Sequence, residues 1–301
     1  MTDIPKVAII GAGLMGHGIA QRMLAAGYSV NLFDTNAEIL ASAGQKISDI
    51  FELLEQTFED QNLLCLCANM EEAVANATLV IEAGPEVLEV KKAIFTSLAR
   101  YTQPDCILAT NTSAIPISTI AQGIDYPERI VGAHFWNPPH LVRLVEVIQG
   151  EETSVDTVAK TIAMLNQAGM KSVHVKRDIP GFIGNRLQHA MKREAIALLE
   201  AGVCDAETID DVVKHGFGQR LSVLGPLEQS DLVGLDLTLN ILTTIYPTLD
   251  NSTAPQSILQ NNVKNGHLGM KSGRGFRQWT SETAQQVRNR VVEHLVAKAK
   301  E

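Results

Sequence analysis

The feature that most constrains the fold is a glycine-rich turn near the start of the chain, where residues 11–16 read GAGLMG. This G-x-G-x-x-G pattern follows an apolar run at 6–10 and opens a helical segment. In that context it is typical of dinucleotide binding. Gly11 permits the tight turn, Gly13 lets the backbone approach a pyrophosphate, and Gly16 lets the helix pack against the strand.

Asp34 supports the same interpretation, because it ends the next predicted strand, 29–33, and lies 18 residues after Gly16. A carboxylate at this place accepts hydrogen bonds from an adenosine ribose and repels a 2′-phosphate. No arginine is adjacent to it. We therefore predict NAD rather than NADP as the cofactor, with Leu14 and Met15 as further contacts at the helix N-terminus.

Composition narrows the class of protein. The chain has 301 residues, a net charge of −9 and 45% hydrophobic residues. The negative charge disfavours nucleic acid and anionic membranes as partners. No apolar run reaches the length of a membrane span, and the first residues do not resemble a secretory leader. The cysteine spacing predicts no metal site, so we expect reduced thiols in a cytoplasmic protein. The cysteines are Cys65, Cys67, Cys106 and Cys204.

Strands and helices alternate up to about residue 178, and helices alone are predicted after it. This pattern indicates an α/β fold: a Rossmann-type, doubly wound, mostly parallel sheet followed by an all-helical C-terminal domain. We place an NAD-binding domain at 1–178 and a helical substrate-binding and dimerisation domain at 179–301. The predicted strands are 6–10, 29–33, 78–83, 106–110, 130–135, 144–148 and 172–176. The predicted helices are 15–26, 37–60, 87–101, 153–168, 183–201, 205–215, 230–246 and 280–300.

Two of these strands each carry an ionisable residue, His134 in GAHF and Glu146 in LVEVI, and NPPH lies between them. A Pro-Pro corner could fold the second strand back beside the first. The carboxylate would then fix the imidazole tautomer, leave the other ring nitrogen free to take a proton, and stabilise the imidazolium. A general base is what NAD-dependent alcohol oxidation needs. On spacing alone, a structural role for this histidine competes well.

Several segments together resemble the L-3-hydroxyacyl-CoA dehydrogenase family over nearly the whole chain. They are GAGLMGHGIAQ, VIEAGPEVLEVKKAIF, TNTSAIPI, GAHFWNP, LVEVI, PGFIGNRL, DLVGLD and KSGRGF. The resemblance implies an N-terminal NAD-binding domain, a helical domain that forms a homodimer, and a small-molecule substrate in a cleft between the domains. It implies an enzyme that interconverts a secondary alcohol and a ketone.

The resemblance also assigns roles to residues. His134 matches the catalytic histidine, Glu146 the glutamate that orients it, Ser113 a serine that contacts the substrate oxygen, and Asn185 an asparagine that helps to hold the substrate carbonyl. Ser113 and Asn185 could instead stabilise a turn or cap a helix. Further matches are Asn137 near the substrate, and Glu86, Lys91 and Asn111 on the cofactor side.

Three departures from the family concern the substrate. The segment 37–60 has six acidic residues and only Lys46, a poor surface for the anionic nucleotide of coenzyme A. It could also be a solvated helix face. The corner reads H-F-W-N-P-P, where the family usually has H-F-F-N-P-V. Arg220 stands near a turn where CoA-specific members carry a P-M-G-P-F-like sequence, and it could bind a carboxylate with two hydrogen bonds or form a surface salt bridge.

The N-P-P corner and Arg220 resemble a branch of the superfamily that handles small free acids and polyols. That branch includes L-gulonate dehydrogenase (a relative of lambda-crystallin), carnitine dehydrogenases and a dehydrogenase of vitamin B6 breakdown. We therefore favour a small free hydroxy acid as substrate, with a 3-hydroxyacyl-CoA such as 3-hydroxybutyryl-CoA as the alternative. A non-catalytic, crystallin-like NAD-binding protein is a hypothesis of another class. A further family with a G-x-G-x-M-G start uses a lysine base, but its pattern does not fit GFIGNRLQHAMKREA convincingly.

Overall fold

The computed structural model describes residues 5–58 and 60–300, and a single eight-stranded sheet organises the first part of this chain. The spatial order of the strands is β3-β2-β1-β4-β5-β6-β7-β8. All neighbours are parallel except β6 and β7, which are antiparallel. The strands are β1 (Lys6–Ile10), β2 (Ser29–Phe33), β3 (Leu64–Leu66), β4 (Leu79–Glu82), β5 (Ile107–Thr110), β6 (Ile130–Phe135), β7 (Leu144–Ile148) and β8 (Lys171–Val175).

Helices cover both faces of this sheet, which is why its central strands are continuous apolar runs. Val7 and Ile9 of β1 belong to the hydrophobic cluster on one face, whereas Ala8 and Ile10 belong to the cluster on the other. The helices of this part are α1 (Leu14–Ala25), α2 (Ala37–Leu53), α3 (Met70–Val74), α4 (Leu88–Tyr101), α5 (Ile117–Ala121) and α6 (Val155–Gln167). The predicted doubly wound, mostly parallel sheet is confirmed.

Strands β1 and β4 are neighbours in the sheet. Strands β2 and β3 lie on the outer side of β1, and strands β5 to β8 lie on the outer side of β4, so the strand order reverses between β1 and β4. In open α/β sheets, ligands bind at such a switch point, beyond the carboxyl ends of the strands. The glycine-rich turn follows β1, and residues 83–87 follow β4. The fold therefore places both segments at the expected binding crevice.

The predicted helix over 37–60 was too long, because α2 ends at Leu53. Asn36 caps its start by accepting N–H bonds from Glu38 and Ile39. Residues 61–63 form a 3₁₀ turn that leads into β3, a strand that we did not predict. The short helices α3 and α5 were also not predicted.

The described residues form two compact units: residues 5–58, 60–185 and 292–300 make the first, and residues 186–291 make the second. The second unit has only isolated β-bridges, near 269–278, and is otherwise helical, as predicted. Helix α7 starts at Gly184 and runs to Glu200. The later helices are α8 (Ala206–His215), α9 (Pro226–Val233), α10 (Leu235–Ile245), α11 (Ser257–Lys264) and α12 (Ser281–Lys300).

The single helix predicted over 230–246 was wrong. The chain forms two helices there, α9 and α10, separated by Gly234. This residue has φ 97° and ψ 134°, a conformation that L-residues rarely adopt and that interrupts the helical hydrogen bonds. Apolar residues continue the helical pattern on both sides of Gly234, so the pattern does not predict the break.

Residues 186–291, all of which the structure describes, bury almost nothing by themselves. Only Gln256 and Ala284 are buried among them, and many large apolar side chains are exposed. By contrast, the last turns of α12 belong to the first unit, where Leu295 packs with Ile50 and Leu141. None of the described helices combines the length and the apolar composition that a membrane span needs.

Candidate active site

The glycine-rich turn has the shape that a pyrophosphate requires. Gly11 has φ 107°, and a Cβ atom there would lie 2.7 Å from the main-chain oxygen of Ala83. A Cβ atom at Gly16 would overlap the main-chain oxygen of Gly11. At Gly13, in contrast, a Cβ atom would meet no heavy atom within 4 Å. Gly13 is also the N-cap of α1 and has no side chain to occupy the helix N-terminus, so the turn is open where phosphates bind.

Asp34 is fixed beside this turn. Its Oδ2 accepts a hydrogen bond of 2.8 Å from the N–H of Ala12, and its Oδ1 accepts one of 2.8 Å from Asn36. Each carboxylate oxygen retains acceptor capacity for ribose hydroxyls. Leu14 is 58% exposed at the start of α1, next to the open face of the turn. The residues present fit an NAD molecule.

A buried ion pair joins the last residue of β4 to α4, at the other side of the switch point. Lys91 is 1% exposed and Glu82 is fully buried. The Lys91 ammonium donates to both oxygens of Glu82, at 2.9 and 3.0 Å. Glu82 also accepts from Thr110 Oγ1 at 2.7 Å and from the N–H of Gly84 at 2.7 Å. These bonds compensate the desolvation of both charges.

Glu86 holds the loop that carries Ser113. Its Oε1 accepts from Thr112 Oγ1 at 2.6 Å and from the N–H groups of Ser113 and Ala114 at 2.9 and 3.0 Å. Burial alone would raise the pKa of Glu86. The three hydrogen bonds and the ammonium of Lys91, 3.5 Å from Oε2, outweigh burial and hold the pKa below its ordinary value. Glu86 therefore accepts these bonds as a carboxylate at neutral pH.

His134 and Glu146 face each other across β6 and β7. They are direct partners in the antiparallel register, and His134 Nδ1 lies 2.8 Å from Glu146 Oε2. Both side chains are buried, with 5% and 1% exposure. A carboxylate only accepts hydrogen bonds, so Nδ1 carries the proton and Nε2 is the free nitrogen. The corner predicted from Asn137-Pro138-Pro139 does fold the second strand back beside the first.

The other carboxylate oxygen of Glu146 binds the start of α7. Its Oε1 accepts from the N–H groups of Ile183 and Gly184 at 2.9 and 3.0 Å. Burial would raise the pKa of Glu146, but the bonds from His134, Gly184 and Ile183 lower it further than burial raises it. The result is an ionised carboxylate with three donors, aimed at the imidazole.

Of the remaining predicted residues, Asn185 and Asn111 make hydrogen bonds to neighbouring segments, whereas Asn137 and Arg220 are exposed. Asn185 donates from Nδ2 to the main-chain oxygen of Ser113 at 2.9 Å, and Ser113 itself is exposed. Asn111 accepts from the N–H of Phe135 at 2.8 Å and so joins the ends of β5 and β6. Asn137 is exposed at the corner. Arg220 lies in the second compact unit, at the end of a 3₁₀ turn, and is exposed.

Sequence reasoning missed Glu82 and Thr112. Glu82 had the same signal as His134 and Glu146, an ionisable group within an apolar strand, LVIEA. Thr112 lies between two residues already considered functional, but its bond to Glu86 joins positions 26 residues apart and leaves no local pattern. The N–H donors to Glu146 belong to the main chain, which no residue type reveals.

Two family models match the chain in succession. The model of the 3-hydroxyacyl-CoA dehydrogenase NAD binding domain matches residues 6–179, and that of the 3-hydroxyacyl-CoA dehydrogenase C-terminal domain matches residues 181–279. Among curated relatives, the probable 3-hydroxybutyryl-CoA dehydrogenase of Bacillus subtilis is 37% identical over 94% of this chain and 100% of its own length.

The name of a second relative gives a different kind of substrate. The 5-formyl-3-hydroxy-2-methylpyridine 4-carboxylate 5-dehydrogenase of Mesorhizobium japonicum is 33% identical over 98% of this chain and 97% of its own. A solved structure of a dehydrogenase of that name, described as an NAD+-dependent dismutase, superposes with a TM-score of 0.90, at 33% identity and 98% and 97% coverage. The structure of (S)-3-hydroxybutyryl-CoA dehydrogenase from Ralstonia eutropha gives 0.75, at 30% identity and 93% and 100% coverage.

Proposed function

The chain belongs to the 3-hydroxyacyl-CoA dehydrogenase family and is an NAD-dependent oxidoreductase that acts on a CH–OH group, and from this premise we propose that its substrate is a small hydroxy acid with a free carboxylate. We propose His134 as the general acid and base, oriented by Glu146. The observation that carries the proposal is the buried 2.8 Å bond between His134 Nδ1 and Glu146 Oε2.

The chemistry follows from this bond. Since Nδ1 holds its proton against Glu146, Nε2 of neutral His134 removes the proton of the substrate hydroxyl. Bound NAD supplies the hydride acceptor for the carbinol carbon. The carboxylate of Glu146 stabilises the imidazolium that forms. In the reduction of a ketone, the protonated imidazole returns the proton from Nε2 to the oxygen.

The loop residues hold the reacting oxygen in place. We propose that the hydroxyl of exposed Ser113 donates a hydrogen bond to the substrate oxygen. Glu86 fixes the main chain of this residue, and Asn185 binds its carbonyl, so the loop is held from two sides. Preorganised donors of this kind need little rearrangement when charge develops on the oxygen. Asn137 is a further proposed contact of the substrate.

The charges on α2 support a free acid over a CoA ester. Glu38, Asp49 and Glu52 are exposed on this helix, whereas Lys46 is its only basic residue. Asp60, which follows α2, is also exposed, whereas exposed Glu55 is paired with Lys300 at 2.8 Å, and Glu59 lies outside the described residues. An acidic surface of this kind repels the phosphates of coenzyme A. The relative with a TM-score of 0.90 is named for a pyridine carboxylate, which agrees with the same substrate class.

Arg220 is the proposed partner of the substrate carboxylate, on the resemblance to the free-acid branch alone. A guanidinium can bind a carboxylate with two parallel hydrogen bonds. Arg220→Ala should raise KM for the acid at least about tenfold, the loss expected when one charge-assisted pair is removed. Arg274→Ala, at another exposed arginine-bearing turn, is the control. An unchanged KM in Arg220→Ala removes this residue from the site.

The test of the substrate class is a comparison of kcat/KM for NAD reduction. One arm uses 3-hydroxybutyryl-CoA, and the other uses free acids: L-gulonate, carnitine and hydroxymethyl or formyl pyridine carboxylates. We expect turnover with at least one free acid and little with the CoA ester. High efficiency with the CoA ester alone would establish the alternative, a 3-hydroxyacyl-CoA dehydrogenase, which the name of the Bacillus subtilis relative favours. No turnover in either arm would favour a non-catalytic NAD-binding protein.

We also propose that the protein is a homodimer joined through residues 186–291. This unit exposes apolar side chains on several helices, among them Leu239 at 66%, Leu232 at 73% and Leu227 at 80%. Monomeric proteins rarely expose continuous apolar surfaces of this extent. A second copy would cover them with an identical surface, as twofold interfaces do.

A further inference from the structure

The segment 182–185, at the start of α7, contacts the side chains of His134 and Glu146 and the main chain of Ser113. Two of its main-chain N–H groups donate to Glu146. Its first ring, that of Phe182, lies 5.6 Å from the ring of His134. Its last residue donates to the main-chain oxygen of Ser113. The position of this one turn therefore determines the geometry of the whole group.

Trp136 meets this turn at Gly184. A Cβ atom at Gly184 would overlap Cζ2 of the indole and lie 3.0 Å from Cη2 and 3.2 Å from Cε2. Only glycine fits against the ring at this distance. The same indole lies 5.7 Å from the imidazole of His134, with 50° between the ring planes. Trp136 is therefore placed between the helix turn and the proposed base.

The indole is held by its shape. Its Nε1 is buried and has no hydrogen-bond partner among the described residues. A rigid ring without a polar anchor takes its position from the atoms packed around it, here Gly184 on one side and His134 on another. Any group added at Gly184 must displace the turn, the ring, or both.

We propose that the contact between Trp136 and Gly184 sets the first turn of α7 so that its N–H groups point at Glu146 Oε1, and that both are positioning residues for the His134–Glu146 pair. The inference rests on the proposed function. The two bonds to Oε1 are 2.9 and 3.0 Å long, and a shift of the turn by a few tenths of an ångström would weaken both. Glu146 would then turn away from the imidazole.

The experiment is a double-variant cycle on kcat, with a substrate found active in the panel above. Gly184→Ala should lower kcat at least about tenfold, since small misplacements of catalytic groups cost one to two orders of magnitude. Trp136→Phe alone should lower kcat by less than Gly184→Ala does, because it removes the indole atoms that face Gly184 and adds no group that pushes the turn aside. The combination should recover to within about threefold of Trp136→Phe, because the smaller ring leaves room for the new methyl group.

Two readouts separate positioning from loss of structure. In Gly184→Ala, the Kd for NAD should stay unchanged, and the acidic limb of the pH profile of kcat/KM should move to lower pH, because Glu146 stabilises the imidazolium less. Gly44→Ala is the matched control: it adds the same methyl to α2, where no atom lies within 4 Å, and should leave kcat unchanged.

An unchanged kcat in Gly184→Ala, or no recovery in the combination, overturns the proposal. Should Gly184→Ala not fold, Trp136→Ala gives the decision: a folded variant with unchanged kcat and pH profile also overturns it. The proposed function fails differently. If the proposed function is wrong, His134→Gln keeps its turnover. If His134→Gln is inactive but the combined variant does not recover, only the positioning role is removed.

Discussion

Three buried side chains, one imidazole and two carboxylates, lie within or at the end of apolar strands near the proposed site: His134, Glu146 and Glu82, with 5%, 1% and 0% exposure. Removing such charges from water costs several kcal/mol each unless hydrogen bonds replace the lost solvent. Glu82 and Glu146 each receive three or more donors. Arrangements of this kind fix a side chain in one orientation, which is what catalysis requires of an acid, a base or their supports.

His140 gives a pH-dependent prediction at the same scale. Burial, together with the charges of His17 and Arg22, lowers its pKa to about 4. In the unfolded chain its pKa is about 6.5, so the unfolded state binds the extra proton between these values. Stability should therefore fall as the pH drops from 6.5 towards 4, by up to roughly 3 kcal/mol from this group.

Urea unfolding at pH 7.0, 5.5 and 4.5 measures this effect. His140→Gln should show a shallower loss of unfolding free energy than the wild type across this range. His215→Gln, at an exposed position of α8, is the control and should follow the wild type. Parallel pH dependence in all three proteins would contradict the assignment to His140.

At the scale of elements, two glycines of the glycine-rich turn serve different purposes: Gly16 is needed for folding, and Gly13 for cofactor binding. A Cβ atom at Gly16 would overlap the main chain of Gly11, whereas one at Gly13 would enter open space. Gly13→Ala should therefore leave the thermal unfolding midpoint of the cofactor-free protein unchanged, but raise the Kd for NAD at least about tenfold by keeping the pyrophosphate from the backbone. Calorimetric titration and thermal unfolding measure both quantities.

Gly16→Ala is the contrasting variant. It should lower the unfolding midpoint even without cofactor, because the close packing of α1 on the turn is lost. If Gly13→Ala binds NAD as the wild type does, the pyrophosphate does not approach this glycine, and the fit of the cofactor to the turn must be revised.

The predictable elements share a strong local signal. β1 and β2 were predicted with their observed bounds because buried parallel strands are continuous apolar runs bounded by turn residues. β3, a three-residue edge strand, is too short to show a period. The five-residue helices α3 and α5 are likewise shorter than two turns.

The same distinction applies to the residues of the site: a local pattern predicts some of them, and the others depend on distant parts of the chain. The pair His134 and Glu146 could be predicted because a proline corner and a twofold side-chain period place them opposite each other. The donors of Ile183 and Gly184 to Glu146 could not, since they depend on where a distant main chain passes. The roles proposed from the resemblance for Ser113, Asn137, Asn185 and Arg220 stay predictions.

At the scale of the whole molecule, the exposed apolar side chains of residues 186–291 predict the oligomeric state. Light scattering after size exclusion should give twice the chain mass of 32.6 kDa. Leu239→Glu, on α10, should lower the mass towards one chain because a charge is buried without a partner. Leu53→Glu, on an exposed position of α2, is the control and should not. A monomeric wild type at micromolar concentration would contradict the proposed homodimer.

The most direct test of the account is the His134→Gln variant, measured for both NAD binding and turnover of the best substrate of the panel. The central claim is that Nε2 of this residue carries the proton of the substrate hydroxyl. The account predicts an unchanged Kd for NAD and a kcat reduced by about two to four orders of magnitude, the usual contribution of general acid–base catalysis. A variant that binds NAD and retains most of its kcat would contradict it.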